Sequence, residues 1–390
     1  MLPRQPAGAS GAQLDPYALG RAGLRELLPD QPAYRADQIH QWLVRGVDDP
    51  TAMTDLPAAL RARLAELFPK APKVLRHSTA DAGLTHKVLL ECASGEAVES
   101  VLMLYPSVDG GVPRATVCVS TQAGCAMGCP FCATGQAGFR GQLGMGEVVR
   151  QVTVMQRLLA TGRVVAPDVG DHVTNVVFMG MGEPLANLDI TIDAVRWLHD
   201  PEGFNLSARS ITVSTVGLVP GIRRLQELSL PITLAVSLHA PNDELRNDLV
   251  PVNRQHPLRE LLAACRDYRA ATGRRLTFEY VLIDGINSAV EHASELAGLV
   301  RSLDAHVNLI PMNPTPAVPW RAPSGNAQHA FMRTLHDAGV PATIRRNRGT
   351  EIDAACGQLY ADYALASGKT LPSAQGAAER LLAGSRGTDG

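Results

Sequence analysis

The sequence predicts an α/β fold, a partial barrel of six βα units preceded by a small helical domain and a short β-rich connector. Three observations carry this. From Ala115 onward, six apolar, β-branched runs alternate with helical stretches, the rhythm of parallel strands joined by crossover helices. Between about Pro16 and Phe68 the apolar positions recur at helical spacing, and residues 73 to 104 alternate at a period of two. Six units are too few to close an eight-fold barrel.

In chain order, residues 1–13 are rich in Ala, Gly, Pro and Gln and are expected to be disordered. Residues 14–70 form the helical accessory domain. There Ile39, Trp42 and Leu43 fall together, and Leu56, Leu60, Leu64 and Leu67 follow Asp55, which reads as a helix cap. Residues 71–110 are the connector, turning at Ser94-Gly95. The barrel spans 111–350, with strands expected at 115–120, 173–179, 211–215, 232–237, 276–282 and 306–310. Helices fill 146–160, 187–199, 218–228, 257–271, 289–303 and 326–338, punctuated by Gly217, Gly273 and Gly339. A segment at 351–366 follows, then a tail at 367–390 that is expected to be disordered.

A length of 390 residues with 45% hydrophobic content suffices for one large core and an accessory domain. No apolar run approaches the roughly 18 residues of a membrane span, and the first fifteen residues lack a signal peptide's hydrophobic stretch. A cytoplasmic location without membrane contact is expected. The formal net charge of -2 excludes a polycation, so any nucleic-acid contact must be local. The basic groups Arg223-Arg224, Arg274-Arg275 and Arg345, Arg346 and Arg348 each read, taken alone, as solvated surface. The odd count of 7 cysteines is unlike the paired framework of a secreted protein.

Three of those cysteines, Cys125, Cys129 and Cys132, sit in one loop as CxxxCxxC, a spacing that random placement gives about 0.002 times per chain. Thiolates suit iron-sulfur clusters or zinc, and three in one loop leave the fourth iron of a 4Fe-4S cluster open to a small chelating molecule. Cys118, seven residues upstream, would complete a four-cysteine zinc site, although structural zinc usually takes two separated pairs. The loop follows the first barrel strand, where parallel α/β folds gather their ligand groups. Phe131 is either apolar shielding for that site or a core aromatic. The second strand ends in Met179-Gly180-Met181-Gly182-Glu183-Pro184, whose glycines allow close backbone approach and whose carboxylate can accept from an ammonium. Alone, Gly-Glu-Pro is also simply a turn. Ser214, Ser237-Leu238-His239 and Asn313 end further strands with polar atoms, which suggests a lined pocket. Cys92 and Cys265 read as inert buried thiols. Cys356 lies between glycines with arginines upstream, a setting that favours a thiolate.

The CxxxCxxC loop after the first strand of a six-fold βα array resembles the radical S-adenosylmethionine (SAM) superfamily. That implies a 4Fe-4S cluster on Cys125, Cys129 and Cys132, with the amino and carboxylate groups of SAM on the open iron and Gly182-Glu183 matching the motif for the SAM amino group. An electron from the cluster then cleaves the sulfonium to a 5′-deoxyadenosyl radical. From about residue 17 to 365 the chain resembles the RlmN family, the adenine carbon-2 methyltransferases of 23S rRNA and tRNA. The resemblance rests on RATVCVSTQAGCAMGCPFCATGQAGF, MGMGEP, SLHAPND, NLIPMNP and the segment from Arg348 to Leu359.

This resemblance implies that Ser214, Ser237, Leu238, His239 and Asn313 contact SAM. It implies that Cys356 takes a methyl group from one SAM, that the radical from a second removes a hydrogen from it, and that the resulting carbon radical adds to the base. Carbon 2 of adenine is electron-poor and cannot attack a methyl group directly, which explains the detour. Cys118 matches the cysteine that releases the adduct by forming a disulfide with Cys356. Glu99 matches the base that removes the carbon-2 proton; without the resemblance it reads as an exposed strand glutamate. The helical domain and the arginines near Cys356 are candidates for RNA grip and base extrusion. A flavodoxin-type electron donor and a monomer are expected. A sister group that methylates carbon 8 and a non-catalytic, zinc-stabilised RNA-binding protein are the alternatives; SLHAPND, IDAACGQL and the amino-terminal domain favour carbon 2.

Overall fold

The computed structural model describes residues 14–69, 73–108 and 110–359, so the expected disordered ends and the last part of the 351–366 segment lie outside the described residues. The chain divides into two units, Met1–Pro72 and Lys73–Gly390. In the first, helix α1 (Pro16–Leu27) opens at Asp15, whose carboxylate accepts the Tyr17 N–H, and is followed by α2 (Tyr34–Val44) and α3 (Ala58–Leu67). Leu24, Ile39, Leu43, Leu60, Leu64 and Phe68 are its buried core. Asp55 does not cap α3. The cap position is Pro57, which leaves Asp55 too far upstream, and its carboxylate instead accepts from the Trp42 indole and the Gln38 amide.

The second unit begins with β1 (Val74–Ala80), β2 (Thr85–Glu91) and β3 (Ala97–Tyr105), paired antiparallel. β3 pairs antiparallel with β4 (Arg114–Cys118), so the connector is one wing of the barrel's own sheet. β2 and β3 are buried along nearly their whole length instead of alternating, and they carry Thr85, His86, Lys87, Glu99 and Ser100 into the interior. After β4 come the small hairpin β5 (Gln122–Gly124) and β6 (Phe139–Gln142), with the short helix α4 (Ala133–Ala137) between its strands. The barrel continues as α5 (Met145–Ala160), β7 (Asn175–Phe178), α6 (Leu188–His199), β8 (Ile211–Thr215), α7 (Val219–Gln226) and β9 (Thr233–Ser237). Helices α8 (Asp243–Leu249) and α9 (Leu258–Thr272), β10 (Thr277–Leu282), α10 (Val290–Val300), β11 (His306–Pro311), α11 (Gly325–Asp337) and β12 (Ala342–Ile344) complete it.

β4, β7, β8, β9, β10, β11 and β12 run parallel as neighbours in that order. All six expected strands and all six expected helices are present, and α10 passes into a 3-10 turn at Arg301–Leu303. The sequence reading missed β12, which is too short to show a run. It also missed α8, a polar helix announced only by the Asn242 cap, whose side chain accepts the Leu245 N–H, and by Asp243 and Glu244 in its first turn. No helix among the described residues is long and apolar enough to cross a membrane.

α8 exists to place Arg246, the largest fully buried side chain. Its guanidinium donates to Leu238 O (3.0 Å), Ser237 O (3.0 Å), Val216 O (2.7 Å) and Asn253 Oδ1 (2.7 Å). Burial pulls its pKa down to about 10, so it stays charged and pins the carboxyl ends of β8 and β9. Arg246→Met leaves three rim carbonyls without their donor and should cost about 3–5 kcal/mol in denaturant unfolding. A loss below about 1 kcal/mol would show that the network does not hold the rim.

Candidate active site

The cysteine loop is held in a defined turn. Cys125 N–H donates to Gly138 O across the hairpin, and Gly124 has φ +74, with no room for a side chain beside the Gly138 carbonyl. Cys132 starts α4, and its sulfur accepts from the Thr134 and Gly135 N–H groups. Cys129 is packed with Val252, Val281, Met312 and Trp320, and Phe131 and Met127 lie against the same cluster. Burial pushes the Cys125 thiol up to about 12 and the Cys129 thiol well above its ordinary range, with the neighbouring cysteines adding to the rise. Thiols in that state need a strongly cationic partner to ionise.

All three cysteines line one cavity, which also receives Gly182, Glu183, Ser214, Ser237, His239, Asn313 and Cys356. Gly182 has φ +96, and a Cβ there would stand 2.5 Å from Gln122 Cβ, so the loop after β7 needs glycine at this position. Glu183 Oε1 accepts the Leu185 N–H (3.0 Å) and Oε2 the Val216 N–H (2.8 Å). Burial still raises its pKa to about 7. Ser214 Oγ donates to Phe178 O. His239 is held neutral by burial, with its pKa lowered to about 3; its Nδ1 accepts the Val281 N–H, which leaves Nε2 as the protonated nitrogen. Phe131 packs edge-on against the His239 ring at 4.7 Å. Leu238 is not brought to the cavity. Its side chain is in the core, and only its backbone serves the rim, through Arg246 and Glu279 O.

The segment bearing Cys356 is docked on this cavity from several sides. Asn313 Nδ2 donates to Cys356 O (3.0 Å), and Asn347 Nδ2 fixes the Asn313 oxygen. Ala133 N–H donates to Gly357 O and Thr134 Oγ1 to Leu359 O, which joins the segment to the cysteine loop. On the wing, Asp81 accepts the Gly349 N–H, Lys87 donates to Asp353 O, and Arg348 donates to Leu104 O while lying over the Tyr105 ring. Cys356 itself is exposed, and Arg345 Nη1 stands 3.9 Å from its sulfur. Cys118 is buried and does not line the cavity. Its pKa is raised to about 12 by burial and by the nearby Cys356, against the lowering effect of Arg345. Glu99 is also off the cavity wall and, contrary to the exposed reading, is buried in an ion pair with Lys87 at 2.8 Å.

All seven cysteines are free. Cys92 and Cys265 are buried, with thiols pushed up to about 12, as inert thiols should be. Among the described residues no three His, Cys, Asp or Glu side chains converge on a point as ligands of one metal ion. Thiols spread around a cavity suit a multi-iron group better than one zinc, and Cys118 is not available as a fourth ligand. The cavity also has a carboxylate oxygen, Glu279 Oε2, with no hydrogen-bond partner among the described residues, where a polar guest can bind.

The sequence reading missed Lys87, Gln122, Arg246 and Asn347, whose roles depend on distant partners. Arg345, taken alone, reads as solvated surface, but as one of the arginines upstream of Cys356 it is where the thiolate reading needs it: its guanidinium points at Cys356 and is drawn further up in pKa by that sulfur. Arg223 and Arg224 are exposed, as expected.

Glu183 gives a pH prediction. Its folded value near 7 lies above its ordinary 4.5, so between these values the folded protein binds more protons than the unfolded one. The Glu183 contribution to the stability of the metal-free protein therefore falls by roughly 3 kcal/mol as pH rises from about 4.5 to 7, while buried His239, lowered to about 3, contributes in the opposite sense up to its ordinary 6.5. The buried thiols titrate above that window. Denaturant unfolding at several pH values should show stability rising more steeply between about pH 4.5 and 7 in Glu183→Gln than in the wild type, and parallel curves would refute the Glu183 contribution.

Comparison with known proteins agrees with this geometry. Residues 119–297 match the Radical SAM superfamily, and residues 19–69 match the ribosomal RNA large subunit methyltransferase N-terminal domain. A "probable dual-specificity RNA methyltransferase RlmN" of Frankia casuarinae is 50% identical over 90% of this chain and 83% of its own length. Its counterpart in Roseiflexus castenholzii is 49% identical over 88% of this chain and 95% of its own. The crystal structure of a radical SAM methyltransferase from Sphaerobacter thermophilus superposes with a TM-score of 0.83 at 50% identity, covering 89% of this chain and 99% of that one. With a radical SAM barrel, the matching amino-terminal domain and this identity along most of its length, the chain belongs to the RlmN family of radical SAM RNA methyltransferases.

Proposed function

We propose that this enzyme methylates carbon 2 of adenosine in both 23S rRNA and tRNA, with Cys356 as methyl carrier, Cys118 as releasing thiol and Glu99 as base. The observation that carries the reading is the meeting of Cys356, Arg345 and Cys118 beside the cavity that the three loop cysteines line. Cys125, Cys129 and Cys132 would hold a 4Fe-4S cluster. Glu183, Ser214, Ser237, His239 and Asn313, with Gly182 and the Leu238 backbone, would hold SAM. Bound there, the cluster and SAM would supply the one-electron chemistry that activates the methyl group, and the oxidised cluster would be available to take back the electron released when the adduct breaks.

The remaining work falls to the chain. Cys356 Sγ holds the methyl carbon and, after coupling, the base. Arg345 Nη1 stands 3.9 Å from Cys356 Sγ, and its charge works against the burial that raises the Cys118 thiol. Glu99 takes the carbon-2 proton. Cys118 Sγ attacks Cys356 Sγ, so that an S–S bond forms and the S–CH2 bond breaks with its electron pair on carbon, which takes a proton to become methyl. An external thiol reductant must then reopen the disulfide. The apolar shell of Phe131, Met312 and Trp320 keeps water from the reacting centre. The helical unit serves RNA grip, a flavodoxin-type protein delivers the electron, and the enzyme acts as a cytoplasmic monomer.

Anaerobic reconstitution with SAM, a reductant and each RNA, followed by mass spectrometry of the nucleosides, should give 2-methyladenosine from both RNAs. 8-Methyladenosine would overturn the regiochemistry. Cys118→Ala should accumulate protein covalently joined to RNA on denaturing gels; normal turnover by that variant would remove Cys118 from the mechanism.

A further inference from the structure

Lys87 is a lysine almost without solvent. It lies on β2 opposite Val101 of β3, and Val101 lies opposite Cys118 of β4, so the three side chains share one row and one face of the sheet. Glu99, two residues from Val101, projects from the same face in the next row. Lys87 Nζ stands 2.8 Å from Glu99 Oε1, with the two side chains 4% and 3% exposed. The same Nζ donates to Asp353 O at 3.3 Å, three residues before Cys356. Lys87 thus touches both the carboxylate read as the base and the segment that carries the methyl group.

A buried ion pair is an inefficient way to gain stability, because desolvating two charges offsets most of their attraction. Nor is this pair needed to join β2 to β3, whose ladder runs unbroken from Thr85 opposite Met103 to Glu91 opposite Ala97. What a lysine beside it can provide is the means for a carboxylate to stay charged in a dry interior. A proton acceptor must be in that state before reaction, whereas a carboxylate buried without a cation protonates instead.

We propose that Lys87 is a positioning residue for proton removal at carbon 2: it keeps Glu99 ionised and fixed in place, and through Asp353 it ties that carboxylate to the Cys356 segment. The inference rests on the reading of Glu99 as the base. In the step concerned, the C2–H bond of the adduct breaks, its proton passes to a Glu99 oxygen, and the electron pair stays in the ring. Glu99 becomes neutral, and the Lys87 ammonium retains the Asp353 carbonyl as acceptor.

The test uses the full-length, cluster-loaded enzyme with SAM and RNA, and compares Lys87→Met, Lys87→Arg, Glu99→Gln and the double variant Lys87→Met/Glu99→Gln. Methylation of Cys356 is read by peptide mass spectrometry, the RNA adduct on denaturing gels and the product as 2-methyladenosine. Lys87→Met should still methylate Cys356, accumulate adduct and lose product formation by about a hundredfold, the order of a general-base contribution, and Lys87→Arg should recover part of it. The double variant lacks both charges, so it buries no unpaired one, and it should be no slower than Glu99→Gln alone. Normal turnover by Glu99→Gln would sink the base reading itself. A stalled Glu99→Gln beside a normal Lys87→Met, or a double variant clearly slower than Glu99→Gln, would overturn the role of Lys87 alone. Should Lys87→Met fail to fold, Lys87→Gln takes its place in the same comparison with the same expected and overturning results.

Discussion

The rim of this barrel depends on one short stretch of backbone, Val216, gripped by a buried carboxyl group on one side and a buried guanidinium on the other. Its N–H goes to Glu183 and its carbonyl to Arg246. Glu183 belongs to the turn after β7, Val216 to the turn after β8, and Arg246 also holds the turn after β9 at Ser237 and Leu238. Three consecutive loops are thereby locked to one another by charge-assisted bonds in a dry interior, where each bond is strong and each missing one is expensive. Ser214, Ser237 and His239 face a common cavity because of this lock.

The same economy governs the carrier segment. Among its described residues it forms no regular structure beyond a single 3-10 turn at Thr350–Ile352, yet side chains and backbone from β2, from the turns around β1 and β2, from α4 and from the loop after β11 hold it in place. Asn313 fastens the carbonyl of Cys356 while lining the cavity, so carrier and cavity share a side chain. The antiparallel wing is thus a dock, and its buried polar residues, out of place in an ordinary connector, are the dock's fittings.

Much of this was legible in the chain. Strand and helix positions followed from periodicity because each barrel element is long enough to show its repeat, and the cysteine loop announced itself through spacing. Short elements did not: β12 has three residues, and α8 has seven of which only Leu245 and Leu249 are apolar, so neither shows an apolar run. Asp55 failed as a cap because Pro57 takes that position, a matter of two residues that pattern cannot resolve. Without the resemblance Glu99 looked like an exposed strand residue, and nothing marked Lys87, because what pairs with and covers them includes the segment at Asp353, 266 residues on from Lys87. Local sequence says what a residue can do; which partner claims it is decided by contacts hundreds of residues apart.

The sheet of this open barrel runs from β1 to β12, and the stretch from Arg345 to Asp353 leads from its β11–β12 end back to the β2–β3 wing. Its start hangs from Leu309 of β11 through the Arg345 N–H, and its continuation is fastened to Leu104 of β3 and to Lys87 of β2. The protein therefore carries a non-covalent hoop around an otherwise incomplete cylinder, and Cys356 sits just past it. Any breathing that widens the cylinder must stretch that hoop, so the girth of the barrel and the position of the reactive sulfur are a single mechanical coordinate.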